Sequence, residues 1–369
     1  MTVEADWASA PGETIQRIMA LREISSEELA DGLGLGDDEF QALIIGEVRV
    51  TLTIAERLAQ NLGSSPRFWL ARDKSYVRER ARLGIVGPAD ENAWANTMPV
   101  RSMKRYGWLP PMVRGAALQS HLLSFFDCGS LREWGVRYSS GVGEVAFKAS
   151  LAFPADGMAT LVWLRVGEKQ AEHLKLGRYD QNLFRSTLPS LKRLSAFKHP
   201  EVFLGRLRSA CGAAGVAVTT SRAPEGCRAS GASWFGRGGN PVIHLSFRHL
   251  SEDHFWFTFF HEAAHILLHG ESHIDGESVG DLAFDQAEQE AEADMFARDV
   301  LVPPNVRARL IEGRPTRSTV IASAREAGVT PGIVVGQLEN AGVLAHGQLS
   351  FLKRRYRWDD SPYVPVMRG

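Results

Sequence analysis

The stretch richest in chemistry is His261-Glu262-Ala263-Ala264-His265. Two histidines four residues apart lie on one helix face, one turn from each other. At that spacing both imidazoles can grip one metal ion, and the intervening glutamate can orient and deprotonate a metal-bound water. The preceding Phe255-Trp256-Phe257-Thr258-Phe259-Phe260 predicts apolar surroundings. A low local dielectric strengthens an ion's polarising effect. With 11 histidines in the chain, the pattern arises by accident in very roughly 1 % of such sequences. Burying two imidazoles and a carboxylate without partners would also be costly.

A catalytic zinc takes three protein ligands and leaves a fourth position for water. The next helical stretch offers Glu288, Glu290, Glu292 and Asp294. Glu290 and Asp294 share one helix face. Glu290 is therefore the candidate third ligand. Asp294 is the candidate acceptor for the other ring nitrogen of a ligand histidine, a contact that orients the ring. Glu288 and Glu292 lie about 200° around the helix from Glu290, so the alternating set cannot all face the site; the bland alternative is that all four acids form a solvated face. His269 shares the face of His261 and His265 and reads either as a helix-end residue beside Gly270 or as a group near the site. Acyl-transfer chemistry also calls for a second oxyanion donor. His269, Arg298 and a tyrosine from elsewhere are the candidates for it. No spacing argument attaches to His244 or His273.

The elements that must hold these residues follow from periodicity and turn signals. From residue 200 onward the reading is a helix Glu201 to Ala214, three β-rich pieces (Val216 to Thr220, Arg228 to Trp234, Val242 to Ser246) and an apolar helix Asp253 to His269. A glycine-rich acidic loop leads to a helix Phe284 to Val302, ended by Pro303-Pro304, and then to a helical pair around Thr319 to Glu326 and Gly332 to Asn340. The piece Val242 to Ser246 is read as an edge strand onto which an extended substrate could pair. Residues 84–199 read as a mixed, mainly helical middle region. It has helices near Trp94, at Val113 to Phe126, Leu131 to Trp134 and Gly167 to Leu174, and a strand at Val145 to Phe153. The basic tail Lys353 to Arg357 reads as a solvated face.

Residues 1–83 read as five short helices: Gly12 to Arg22; a second capped by Ser25 with Glu28 three residues later and closed by Gly34; a third capped by Asp37 or Asp38; a fourth from Thr51 or Thr53 to Gly63; and Arg67 to Arg82. Two short helices joined by a tight turn describe a helix-turn-helix. Its charge runs against DNA. Residues 1–63 hold four basic and twelve acidic side chains, a formal balance of −8. Affinity for a duplex is dominated by phosphate neutralisation, and the candidate recognition helix opens on Asp37-Asp38-Glu39. Arg67, Arg72, Lys74, Arg78, Arg80 and Arg82 on the fifth helix offer partial compensation. The competing use of this unit is docking to protein. No individual DNA-contacting residue follows from the pattern.

Composition sets the frame. The chain has 369 residues, 44 % hydrophobic and 23 % charged, with net charge −1; this describes an ordinary globular protein of two or three domains. No apolar run reaches the roughly 18–20 residues of a membrane span, so no membrane partner is expected. The first 30 residues lack a secretory pattern. Three widely spaced cysteines, Cys128, Cys211 and Cys227, suit reduced thiols in a cytoplasmic protein. Nothing fixes an oligomeric state.

Two resemblances emerge from these residues. Phe257 to His265, Glu290 to Ala297 and Leu301-Val302-Pro303, with Pro241 to Arg248 upstream and Pro331 to Gly336 downstream, resemble the ImmA/IrrE metallopeptidases. That resemblance implies a zincin-like domain at 200–369 in an α+β, mostly helical chain. It also implies His261, His265 and Glu290 as zinc ligands, with manganese the alternative ion, and Glu262 as catalytic base. The expected substrate is a repressor or antitoxin-type protein whose cleavage switches genes in a stress response or a mobile element. The N-terminal part, through Pro11 to Thr14, Leu29-Ala30, Gly46, Thr51, Ala55 to Leu58, Leu62-Gly63 and Phe68 to Leu70, resembles the antitoxin-like branch of the XRE helix-turn-helix family. Two other uses stay open: a transcriptional regulator whose metal site senses or stabilises, and a toxin–antitoxin component that acts by binding.

Overall fold

The computed structural model describes residues 10–46, 48–82, 88–138, 154–236, 238–270, 273–276 and 284–368. The strand expected at Val145 to Phe153 lies outside them. The chain is mostly helical with small sheets, an α+β architecture. It divides into two compact units, Met1–Thr97 with Met112–Val136, and Met98–Pro111 with Arg137–Gly369. The stretch expected as a middle region of its own is shared between them.

The first unit opens on five helices: α1 (Pro11–Arg22), α2 (Ser26–Leu33), α3 (Asp37–Ile44), α4 (Leu52–Leu62) and α5 (Pro66–Arg82). Ser25 caps α2 by accepting the Glu28 N–H at 3.2 Å, and Gly34 ends it in the left-handed region. Three residues separate α2 from α3. The cap of α3 is Gly36, whose N–H is accepted by Glu39; Asp37 and Asp38, expected as caps, instead form its first turn. Thr51 caps α4 through the Ile54 N–H. Gly12 is required by close approach, since a Cβ there would sit 1.8 Å from the Ile44 carbonyl oxygen. Ile15, Leu33, Leu43, Leu58 and Trp69 form the core, while Asp37, Asp38 and Glu39 are exposed. Next in the chain come α6 (Pro88–Thr97), α7 (Val100–Arg105), α8 (Gly115–Phe125) and α9 (Leu131–Tyr138). In the first unit Trp94 and Trp134 meet edge to face at 5.3 Å, beside Phe126.

The second unit continues with α10 (Pro154–Glu172), α11 (Gln181–Leu191), α12 (Pro200–Ala213), β1 (Ala217–Thr220), β2 (Ala229–Phe235), β3 (Pro241–Leu245), α13 (Glu252–Ala264), β4 (His273–Gly276), α14 (Phe284–Leu301), α15 (Pro304–Glu312), α16 (Arg317–Ala327) and α17 (Pro331–Asn340), then a two-stranded ribbon of β5 (Tyr356–Arg357) and β6 (Val366–Met367). Helix α10 begins well before the expected Gly167. Ala159 and Leu161 to Leu164 are buried on every side of the helix, and a helix buried all round has no apolar stripe to read.

The main sheet has the order β1-β3-β2-β4. β3 runs parallel to β1 and antiparallel to β2, and β4 runs antiparallel to β2. β3 is therefore interior, which overturns its reading as the edge strand that receives a substrate. The edge strands among the described residues are β1 and β4, the latter in residues expected to form a loop.

Helix α13 fills the middle of this unit. Trp256, Phe259 and Phe260 are fully buried, against Phe203 on α12 and apolar residues of α14 and α17. Each such side chain contributes roughly 1.5–3 kcal/mol on full burial. The basic tail is not a solvated face. Lys353 is buried and pairs with Asp253 at 2.6 Å and with Glu339. Arg354 donates its N–H to buried Glu252 at 3.0 Å. Burial alone would raise the Asp253 carboxyl, but hydrogen bonds from Lys353 and Ser251 hold it below its ordinary value. At Glu252 burial wins and the carboxyl is raised. Removing one partner of such a buried pair costs roughly 3–5 kcal/mol. The tail thus pins the N-terminus of α13.

A second buried group sits in the sheet. The His244 ring lies between the hydroxyls of Thr219 (2.8 Å) and Ser221 (3.0 Å) and 4.4 Å from the Trp163 ring. Burial pushes its pKa down to about 3 from 6.5. The unfolded chain therefore binds a proton here at a pH where the folded chain does not, and stability falls as pH drops from about 6.5 toward 3. We expect the unfolding free energy of the EDTA-treated chain to fall over this window. The His244 share is at most about 1.4 kcal/mol per pH unit. The slope between pH 6.5 and 5 should be shallower in His244→Gln, and an unchanged slope contradicts the assignment.

Candidate metal centre

Helix α13 brings His261, Glu262 and His265 into the core, and the chain then widens. Residues His265–His269 form a π turn closed by a bond from the Gly270 N–H to the His265 carbonyl at 3.0 Å, and Gly270 ends the segment in the left-handed region. Such turns recur at functional sites. Helix α14 packs beside α13 and supplies the carboxylates.

His261 Nε2 lies 3.1 Å from His265 Nε2 and 3.3 Å from Glu290 Oε2, and His265 Nε2 lies 3.6 Å from Glu290 Oε1. One donor atom from each of the three residues falls within 4.8 Å of the others. Two ligands at tetrahedral angles about one zinc, at metal–ligand lengths of about 2.0–2.1 Å, stand some 3.3 Å apart. Two imidazole nitrogens and a carboxylate oxygen are donors that zinc accepts. Two ring lone pairs facing each other in the interior call for a cation or a proton between them. The donor set therefore fits a zinc ion. Of the sequence-level candidates, the structure brings His261, His265 and Glu290 together, while Glu288 is exposed.

Each motif residue is held from behind. His261 Nδ1 lies 3.1 Å from Asp294 Oδ1, the contact expected of Asp294. Glu262 is fully buried, and its Oε2 accepts the Ser233 hydroxyl at 2.7 Å. His265 Nδ1 lies 3.0 Å from His269 Nδ1, and His269 Nε2 lies 3.1 Å from Glu292 Oε2. Both ring nitrogens of His269, a candidate oxyanion donor, face these two partners. Glu292, one of the set read as facing away, reaches His269 instead. Arg298 Nε donates to the Asp294 carbonyl at 3.1 Å, and its side chain lines a cavity of about 530 Å³ together with Phe257, Thr258 and Asp294. His244 is remote in its role, locked among the sheet hydroxyls.

Sequence reasoning missed Ser233 and Gly231, both on β2. A Cβ on Gly231 would lie 2.5 Å from Thr258 Cγ2 and 2.7 Å from Glu262 Oε1, so the strand can approach α13 only with glycine here. The available signal was weak: Ser233 is one of two serines in a strand of otherwise apolar residues and glycine.

Residues 211–336 match the family model of the IrrE N-terminal-like domain, a peptidase family. No curated protein matches the chain. The match covers the sheet, α13, α14 and most of α17, and is to a domain of metallopeptidase type.

Two substitutions test the packing around Glu262 without needing a substrate. Gly231→Ala should destabilise the chain by roughly 1–3 kcal/mol through overpacking. Ser233→Ala should cost roughly 1–3 kcal/mol by taking a hydrogen-bond donor from a buried carboxyl oxygen. Urea unfolding measures both, and wild-type stability in either variant contradicts the contact behind it.

Proposed function

We propose that this protein is a zinc-dependent regulatory endopeptidase that cleaves a repressor- or antitoxin-type protein, and so controls transcription, a stress response or a mobile-element or toxin–antitoxin locus. The observation that carries the reading is the convergence of His261, His265 and Glu290 beside Glu262. The match of residues 211–336 to a metallopeptidase-type domain supports it.

In this reading His261, His265 and Glu290 hold the ion. When bound, zinc polarises the scissile carbonyl and acidifies the attacking water; manganese is the alternative. Glu262 takes the proton from that water and delivers one to the leaving nitrogen. A glutamate beside the metal trio supplies the proton acceptor that hydrolysis needs and that a purely sensing site would not. Ser233 holds one Glu262 oxygen in place, and Asp294 holds the His261 ring. Arg298, on the wall of the neighbouring cavity, is the residue we assign to substrate contact. β4, one of the two edge strands of the sheet among the described residues, is the strand we assign to pairing with an extended peptide. A flexible hinge in a repressor meets the need for an extended chain.

For the N-terminal part we propose an XRE-like helix-turn-helix domain at residues 1–83, followed by a middle region at 84–199 and the peptidase at 200–369. The exposed Asp37, Asp38 and Glu39 at the start of α3 favour docking to protein over gripping a duplex, because carboxylates cannot neutralise phosphates. We place the protein in the cytoplasm.

Elemental mass spectrometry should find close to one zinc per purified wild-type chain, lost in His261→Ala and in Glu290→Gln. Profiling of new protein N-termini in cells should then show cleavage products with the wild type that vanish with Glu262→Gln. Zinc binding with identical N-termini for wild type and Glu262→Gln would favour a regulator that does not cleave. A chain that takes up no zinc would overturn the metal site itself.

A further inference from the structure

The two ligand histidines are supported differently. His261 leans directly on a carboxylate, Asp294. His265 leans on a second imidazole, His269, which in turn meets the exposed carboxylate of Glu292. We propose that His269 and Glu292 form a two-residue relay that fixes the tautomer and orientation of His265, and that they are positioning residues for metal binding. The inference rests on the reading of His261, His265 and Glu290 as the metal-holding trio.

The proton positions follow from the contacts. His265 Nε2 faces the other two donors of the trio, at 3.1 and 3.6 Å; to ligate an ion it must keep its lone pair there, so a neutral, ligating His265 carries its proton on Nδ1. That N–H can only be donated, and the atom facing it at 3.0 Å is His269 Nδ1. His269 must therefore accept there, which puts its own proton on Nε2. That proton points to Glu292 Oε2 at 3.1 Å, a carboxylate acceptor. With an ion held by the trio, one assignment of protons satisfies these contacts. A hydrogen bond that fixes the ring and raises its basicity is the usual role of the partner behind a metal-ligating histidine.

The chain provides the geometry for this at one place. The π turn over His265–His269 carries both rings, with centroids 4.9 Å apart. The His269 side chain is 6 % exposed and Glu292 52 %. The relay thus runs from the buried ligand to a carboxylate in water, while Asp294 closes the other flank from within the same helix α14. This arrangement also accounts for Glu292, which the metal trio leaves unused.

The test is zinc affinity by competition with a chromophoric chelator, with folding checked by circular dichroism. His269→Phe keeps the ring volume and removes both nitrogens. It should weaken zinc binding by about 10–100-fold, the range typical for loss of such a partner. Glu292→Ala, at an exposed position where unfolding is not expected, should weaken zinc binding in the same direction, and Glu292→Asp should restore part of the loss. Glu288→Gln, an exposed neighbour, should bind as the wild type does. In ¹⁵N-histidine spectra of the zinc-loaded wild type, His269 should be the Nε2–H tautomer, and that preference should relax in Glu292→Ala. Wild-type affinity in both His269→Phe and Glu292→Ala overturns the relay even when the wild type binds zinc well. A wild type that binds no zinc overturns the trio beneath it, a distinguishable result.

Discussion

Everything in the C-terminal unit depends on burying α13. A helix carrying two imidazoles and a carboxylate is a poor candidate for the interior, because an unpaired buried polar group costs on the order of several kcal/mol. The phenylalanine and tryptophan side chains of its first three turns supply the opposing term by filling the core against α12, α14 and α17. The polar groups are then dealt with one at a time. At the N-terminus, Glu252 and Asp253 are matched by Arg354 and Lys353 from the distant tail. At the C-terminal end, His261 and Glu262 meet partners from α14 and β2, and His265 meets His269 within the π turn.

The same constraint explains the shape of the candidate site. Because α13 is fixed on all sides, the positions of His261 and His265 are set by core packing rather than by the metal. Glu290 must come to them, and it does so because α14 lies directly beside α13. Sites assembled on rigid elements hold their geometry better than sites on loops. The strand β2 adds the final restriction, since only a glycine at position 231 lets it close over Glu262 while Ser233 fastens the carboxylate.

Much of this was legible in the residues. Spacing alone put His261 and His265 on one face and paired Glu290 with Asp294, because a helix repeats closely enough for four-residue neighbours to be predictable. Caps such as Ser25 and Thr51 were readable for the same local reason. What escaped was long-range. Ser233 acts through strand–helix contact and has no periodic signature. The role of β3 as an interior strand depends on β1 and β2 pairing on either side of it, and the edge strand β4 hides in a glycine-rich, acidic stretch with little strand composition. Lys353 looked like part of a solvated basic run because its carboxylate partners lie some 14 and 100 residues away. Glu292 was set aside by helical angle, yet its side chain is long enough to meet His269.

The central claim is that His261, His265 and Glu290 hold one ion, and X-ray absorption at the zinc edge of the loaded protein addresses it most directly. The account predicts a low-coordinate site of nitrogen and oxygen neighbours at about 2.0–2.1 Å. Multiple-scattering features should indicate two imidazoles in the wild type and one in His265→Ala. Sulfur neighbours at about 2.3 Å, or a spectrum unchanged by His265→Ala, would place the metal elsewhere and contradict it.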